Sequence, residues 1–161
     1  MVVIVMGVTG AGKTTVGRAL AESLGREFHD GDELHSGASK RKMHRGIALD
    51  DADRAPWLSA IRKLILVMLS ENRSGVVACS ALKQSYRDEI VVDPNLVKVV
   101  YLKGSKEVIA ERLSHRRGHF MNPHLLQSQF DTLEEPRDAI VVDISMAPEA
   151  IVREIRIQLG H

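Results

Sequence analysis

The chain has almost nothing with which to cross-link itself or to stack against bases. Its 161 residues hold one cysteine, Cys79, and aromatic side chains make up only 4% of the sequence. An internal disulfide is therefore excluded, and within the apolar run VVACSA the expectation for Cys79 is a buried thiol in a reducing, cytoplasmic setting. The scarcity of aromatics argues against a stacking groove for nucleic acid. Charge of one sign is lacking too: 22 basic against 21 acidic residues leave a formal net charge of +1. Bulk electrostatics thus call for neither a nucleic-acid backbone nor an anionic membrane. Long apolar runs are missing as well, since VVIVMGV and LILVML fall far short of a bilayer span. The first also has no basic segment before it and no small-residue cleavage site after it, so no targeting segment is expected. His35, His44 and His119 form no metal-binding spacing, which argues against zinc.

What is present suits one compact domain over residues 1–161, with 44% hydrophobic residues to fill its core. Apolar, largely β-branched runs at residues 2–6, 76–79, 97–102 and 140–144 lack polar alternation, as parallel strands covered on both faces do. EFHD at 27–30 is a shorter fifth run. Between them lie helical stripes: Val16, Leu20 and Leu24 before Gly25; Trp57, Ile61, Leu64, Ile65 and Met68; and Ile151, Ile155 and Leu159. The alternation predicts an α/β fold of three layers, a five-stranded parallel sheet with helices on both faces and right-handed crossovers. Ligands bind such sheets at the carboxyl ends of the strands. The stretch HSGASKRK reads as a mobile segment inside the domain.

GVTGAGKT, residues 7–14, follows the first strand directly and has the G-x-x-x-x-G-K-[ST] spacing of a phosphate-binding loop. Backbone N–H groups of Gly7, Val8, Thr9, Gly10, Ala11 and Gly12 can converge on phosphate oxygens, and the following helix through Lys13, Thr14 and Thr15 adds its positive end. Lys13 is expected to reach the terminal phosphates of ATP, and the Thr14 hydroxyl to ligate Mg²⁺. A chance match in a glycine-containing turn is the competing reading; a strand before and a helix after weigh against it. The loop alone does not separate kinases from switches or motors.

Three further stretches could hold an acceptor. In DGDELH, Asp30 and Asp32 point the same way if the backbone stays extended, and a carboxylate there could take a hydroxyl proton or orient hydrated Mg²⁺. Asp32 could instead cap the turn that follows. In CSALKQSYRDE a helix from about Leu82 puts Lys83 and Arg87 on one face, a clamp for an anionic substrate or else a solvated face. Arg112 and Arg116 share a helical face ahead of Gly118, the pattern of a lid over about residues 112–135 that excludes water from phosphoryl transfer. An exposed basic helix end is the alternative. DDADR reads as a capping and ion-pair cluster, with Pro56 in the first turn of the helix that carries Trp57.

Taken in order, GVTGAGKTTVG, DGDELH, KMHRGIALDDADRAPWL, ACSALKQSYRD and RRGHFMNPHLLQSQFDTLEEP resemble the small P-loop gluconokinases over nearly the whole chain. The resemblance implies a nucleoside-monophosphate-kinase-like fold and transfer of the ATP γ-phosphoryl group to the 6-hydroxyl of D-gluconate. It implies that residues 7–15 bind ATP and Mg²⁺, that Lys13, Asp32 and Arg116 are catalytic, with Asp32 also at the metal beside Thr14, and that Arg112 and Arg116 close on the phosphates. Asp32, His35, Arg54, Lys83, Arg87, His119 and Gln129 would serve the acceptor side, with Gln129 ordering the lid and a substrate-side helical segment over about residues 33–55. A homodimer is also implied. The chain departs from the family pattern at Ser36, Ser39 and Ala48, where proline, asparagine and proline are usual. A kinase for another small hydroxy acid such as shikimate, or a nucleotide-binding switch without an acceptor, are the rival readings.

Overall fold

Among the residues that the computed structural model describes, 1–115 and 123–161, five strands form one parallel sheet. The strands β1 (Val2–Met6), β2 (Glu27–Asp30), β3 (Gly75–Ala78), β4 (Val97–Lys103) and β5 (Ile140–Asp143) stand in the order β2-β3-β1-β4-β5. The central strand is buried along its whole length because it feeds two cores at once. Val3 and Val5 face the layer of α1 (Lys13–Leu24), α5 (Lys106–Ser114) and α7 (Pro148–Leu159), while Val2, Ile4 and Met6 face that of α3 (Asp51–Ser70) and α4 (Gln84–Ile90). That double burial is why the strand reads as a continuous apolar run rather than an alternating one. The expected stripes carry it through: Leu20, Ile61, Ile65, Met68 and Ile155 are fully buried.

The architecture expected from the sequence is the one observed, and the differences are local. HSGASKRK, read as a mobile segment, is largely helical. It forms most of α2 (Gly37–His44), because the Ser36 hydroxyl accepts the Ser39 N–H at 3.1 Å and caps the first turn. Serine at the position where the family pattern has proline therefore supplies the cap itself. Pro56 is not in a first turn either. α3 starts at Asp51, ahead of it, held by a reciprocal capping box in which Asp50 accepts the Asp53 N–H at 2.7 Å and Asp53 accepts the Asp50 N–H at 3.1 Å. The capping and ion-pair reading of DDADR holds, with Asp53 also receiving Lys42 at 3.0 Å. The helix expected from about Leu82 begins at Gln84, with Lys83 still extended. Of the stretch expected to form a lid, α5 ends at Ser114 and α6 spans Pro123–Thr132; Arg116, Gly118 and His119 lie outside the described residues. No helix among the described residues is long and apolar enough to cross a membrane.

Candidate active site

All five strands run the same way, so their exits share one edge; the chain leaves β1 toward β2 on one side of the sheet and leaves the neighbouring β3 toward β4 on the other. A crevice opens at such a switch point, and the phosphate loop fills it. Gly12, at φ 95°, occupies a left-handed conformation that a side chain would strain, and α1 starts directly behind it with no side-chain cap. Its first N–H groups are thus left for an anion. Lys13 lies back over the loop, with Nζ donating to the Val8 carbonyl at 3.0 Å. Thr14 Oγ1 stands 3.4 Å from Asp30 Oδ2.

The β2 exit resolves the two aspartates. Asp30 is the capping residue: its Oδ1 accepts the Asp32 N–H at 3.0 Å and fixes the 3₁₀ turn Gly31–Leu34. The capping role considered for Asp32 therefore falls to Asp30, and Asp32 is exposed at the start of the turn. The two side chains are not parallel members of one extended strand, since Asp32 already lies in the turn. Gly31 is required here, because a Cβ on it would come within 2.5 Å of the Ala78 carbonyl oxygen on β3. That close approach brings the turn against Cys79, whose fully buried thiol is pushed up to about 12, chiefly by burial and further by the Asp32 carboxylate. The thiol is inert at neutral pH, as expected of a buried cysteine.

His35 ends this turn, buried, with its ring stacked on Trp57 at 4.2 Å and 15°. Trp57 Nε1 donates to the Gly31 carbonyl at 2.8 Å, which ties α3 to the turn. Burial pulls the His35 pKa below the ordinary histidine value, and its Nδ1 has no hydrogen-bond partner among the described residues.

The β3 exit differs from the expected clamp. Lys83 and Arg87 do not present a pair of cations on one helical face. Arg87 is 2% exposed, and its guanidinium turns back under the start of α4. Nη1 donates to the carbonyls of Ala81 (2.7 Å) and Leu82 (3.1 Å), and Nη2 donates to the Glu134 carbonyl (2.6 Å) and Gln84 Oε1 (3.1 Å). Neither the carboxylate clamp nor the solvated face describes it. Arg87 holds Ala81 at φ 44°, a conformation rare for a residue with a side chain. It also fastens the loop to the segment after α6, where Glu134 adds an N–H to the Leu82 carbonyl at 2.8 Å.

Lys83 meets a different set of neighbours. Its Nζ donates to Asp51 Oδ1 and Oδ2 at 3.0 and 3.3 Å, the Tyr86 hydroxyl donates to the same Oδ1, and Arg54 Nη1 donates to the Tyr86 oxygen at 3.1 Å. Tyr86 and Asp51 carried no role in the sequence reading. Tyr86 was legible only as a residue three positions after Lys83, and Asp51 only as one acid in DDADR. The structure thus brings together Arg54, Lys83, Asp51 and Tyr86, with the Arg54 charge also acting on His35.

On the other side of the loop, Gln129 of α6 grips Thr9 through both amide atoms. Arg112 donates to the Ile144 carbonyl beyond β5, so its guanidinium fastens α5 to that strand's exit rather than projecting alone over the phosphate loop. Among the described residues no group of three or more histidine, cysteine, aspartate or glutamate side chains could hold a metal ion. A Thr14 hydroxyl beside an Asp30 carboxylate is nevertheless a hard oxygen pair of the kind that holds Mg²⁺ together with phosphate and water.

Comparison with known proteins agrees with this fold. The shikimate kinase family model matches residues 9–157. The probable gluconokinase of Dictyostelium discoideum is 44% identical over 168 aligned residues, covering 96% of this chain and 84% of its own. The thermoresistant gluconokinase of Escherichia coli K12 is 42% identical over 154 residues, covering 92% and 87%. The crystal structure of a gluconokinase from Sinorhizobium meliloti 1021 superposes with a TM-score of 0.90 at 46% identity, covering 98% of this chain and 90% of the other.

Proposed function

This chain belongs to the gluconokinase family of P-loop kinases, and from that membership we propose that it transfers the γ-phosphoryl group of ATP to the 6-hydroxyl of D-gluconate. The observation that carries the reading is the adjacency of two strand exits. β1 delivers the phosphate loop, and β3, hydrogen-bonded beside it, delivers Lys83 toward Arg54 and Tyr86. Neighbouring strands lie only about 5 Å apart, so a triphosphate tail and an organic acid bound at the two exits are neighbours.

Positioning and charge stabilisation do most of the work in phosphoryl transfer. The loop N–H groups and the start of α1 take the β- and γ-phosphates, and Lys13 leaves the Val8 carbonyl to meet them. Thr14, with Asp30 beside it, would hold Mg²⁺, which would supply charge neutralisation at the phosphates. The bond between the γ-phosphorus and the β,γ-bridging oxygen breaks as the acceptor oxygen bonds to phosphorus. Asp32, exposed and free of capping duty, takes the hydroxyl proton. His35 and Arg54 orient the acceptor. Gln129 keeps α6 against the loop, which excludes water that would otherwise compete for the phosphoryl group. Arg112, Arg116 and His119 belong to the lid side of this scheme.

A coupled ADP-release assay across D-gluconate, shikimate, nucleoside monophosphates and no acceptor, with and without Mg²⁺, tests the proposal. The expected result is Mg²⁺-dependent release with gluconate and a product phosphorylated at C6. Preference for shikimate would move the chain toward the activity named by the matched family model, and release independent of any acceptor would make it a nucleotide hydrolase or switch.

A further inference from the structure

Lys83 is a poor residue with which to start a helix, yet α4 begins directly behind it. An ammonium group cannot accept the unused N–H groups of a first turn, and α4 has no hydrogen bond from the side chain of its own capping residue. The cap comes from elsewhere in the chain. Glu134, 50 residues beyond Gln84, accepts the Gln84 N–H through Oε1 at 2.9 Å, and its own N–H donates to the Leu82 carbonyl at 2.8 Å. One residue therefore ties up the backbone group just before Lys83 and the one just after it.

These two bonds explain why α4 starts at Gln84 and not near Leu82. A helix begun earlier would use the Leu82 carbonyl for the Tyr86 N–H four residues on. With Glu134 N and Arg87 Nη1 on that carbonyl, the Tyr86 N–H goes instead to the Lys83 carbonyl at 3.0 Å. Lys83 is left extended, at φ −95° and ψ 148°. The backbone conformation sets the direction of the Cα–Cβ bond, and from the extended one Nζ reaches Asp51 and the Tyr86 ring.

Glu134 is itself firmly held. Its carbonyl accepts Arg87 Nη2 at 2.6 Å. The next residue, Glu135, meets the Tyr101 hydroxyl and Lys103 of β4 at 3.3 and 3.1 Å. Leu133, ahead of it, packs against both cores and donates its N–H to the Gln129 carbonyl at 2.9 Å. Gln129 is the residue that grips Thr9. The phosphate loop and the start of α4 are thus set from one stretch, residues 129–134.

We propose that Glu134 is a positioning residue of the transfer reaction: its carboxylate caps α4 in place of Lys83 and so fixes the lysine in the extended conformation that aims it at the acceptor side. Glu134 itself touches neither substrate. A position ordinarily given to Ser, Thr, Asp or Asn can hold a lysine because a carboxylate from a distant segment does the capping. The inference rests on the kinase reading above and adds to it a residue that none of the acceptor-side assignments includes.

The test is Glu134→Ala, which removes the side-chain cap and keeps both backbone bonds. The acid's KM is expected to rise about two- to tenfold, the size of one lost cap, with the KM for ATP unchanged. Glu134→Gln, whose Oε1 can still accept the Gln84 N–H, should behave as the parent, and amide exchange at Gln84 should quicken in the alanine variant alone. In a Lys83→Ala background, Glu134→Ala should leave kcat/KM for the acid where it is. A parental acid KM in Glu134→Ala overturns the proposal, as does an equal rise for ATP, a glutamine variant as impaired as the alanine one, or an undiminished loss in the Lys83→Ala background. If Glu134→Ala folds poorly, Glu134→Ser carries the same comparisons. Should the acceptor panel select another hydroxy acid, KM is measured on that acid. Failure of the kinase reading appears in the unaltered protein, as no phosphorylated acid in the panel, and takes this inference with it; failure of this inference alone appears only in variants of an active enzyme.

Discussion

Gln129 and Thr9, 120 residues apart, are joined at both ends of one amide: Oε1 accepts the Thr9 N–H at 2.6 Å and Nε2 donates to Thr9 Oγ1 at 2.8 Å. The contact docks α6 on the phosphate loop and satisfies a partly buried N–H within it. Gln129→Ala removes both bonds, each contributing about 1 kcal/mol. We expect the KM for ATP to rise roughly five- to thirtyfold by that arithmetic, with a smaller change in the acid's KM. Initial rates at varied ATP check this, and an unchanged KM would reduce the contact to packing.

Lys13→Ala should lower kcat by at least about a hundredfold, the cost of losing one pre-aimed charge from a phosphoryl-transfer site. Thermal unfolding of the variant separates this from misfolding. A folded variant that turns over at the parent rate would remove Lys13 from the mechanism.

The two aspartates after β2 should separate by what they lose. Asp32→Asn is expected to bind ATP normally and to lose the chemical step, read as the single-turnover rate. Asp30→Asn should instead raise the Mg²⁺ concentration needed for half-maximal rate, because its carboxylate stands beside the Thr14 hydroxyl. Its stability should change little, since an asparagine Oδ1 can still accept the Asp32 N–H that caps the following turn. Identical behaviour of the two variants would refute the division of roles.

Arg87→Ala should act on stability before it acts on affinity. The substitution leaves the carbonyls of Ala81 and Glu134 without the guanidinium donor and takes one of two donors from the Leu82 carbonyl, at about 1–3 kcal/mol for each one left unpaired that water cannot reach. A total of about 3 kcal/mol or more is expected, seen as a lower urea midpoint. A stable variant with only a raised acid KM would show that Arg87 faces the substrate after all.

His35 should make stability depend on pH in the mildly acidic range. Burial lowers its pKa in the folded protein below the value of about 6.5 that it has when unfolded. Between those two values the unfolded chain binds the extra proton, so stability is complete above about pH 6.5 and falls as the pH drops toward the folded value. His35→Phe, which keeps a ring against Trp57, should flatten that part of the Tm-against-pH curve. An unchanged slope would place the titration elsewhere.

Much of the fold could be read directly from residue order. Runs such as VVIVM and VKVVYLK are apolar throughout because both faces of a parallel strand are covered, and the glycine spacing before Lys13 admits few backbones other than a phosphate loop. Local chemistry was less decisive. HSGASKRK carries glycine and serine, which favour loops as readily as caps, and only the Ser36 bond to the Ser39 N–H tells that a helix starts there. Arg87 is the sharper case. A cation next to Asp88 in a polar stretch gives no hint that carbonyls from Ala81 and Glu134, the latter 47 residues away, will converge on it.

By itself, the sequence determined the five strands, most of the helices, the spacing of a phosphate-binding loop and the family to which the chain belongs, because hydrophobic period and loop spacing are local properties of the chain. Tertiary structure alone decided which charges are bound up inside the protein and which stay open. It buried Arg87 beneath carbonyls, gave the turn's cap to Asp30 and left Asp32 open, and joined Lys83 and Tyr86 to Asp51. A side chain's partners depend on which segments pack around it, and a salt-bridged, a carbonyl-bound and a substrate-facing cation are written with the same letters.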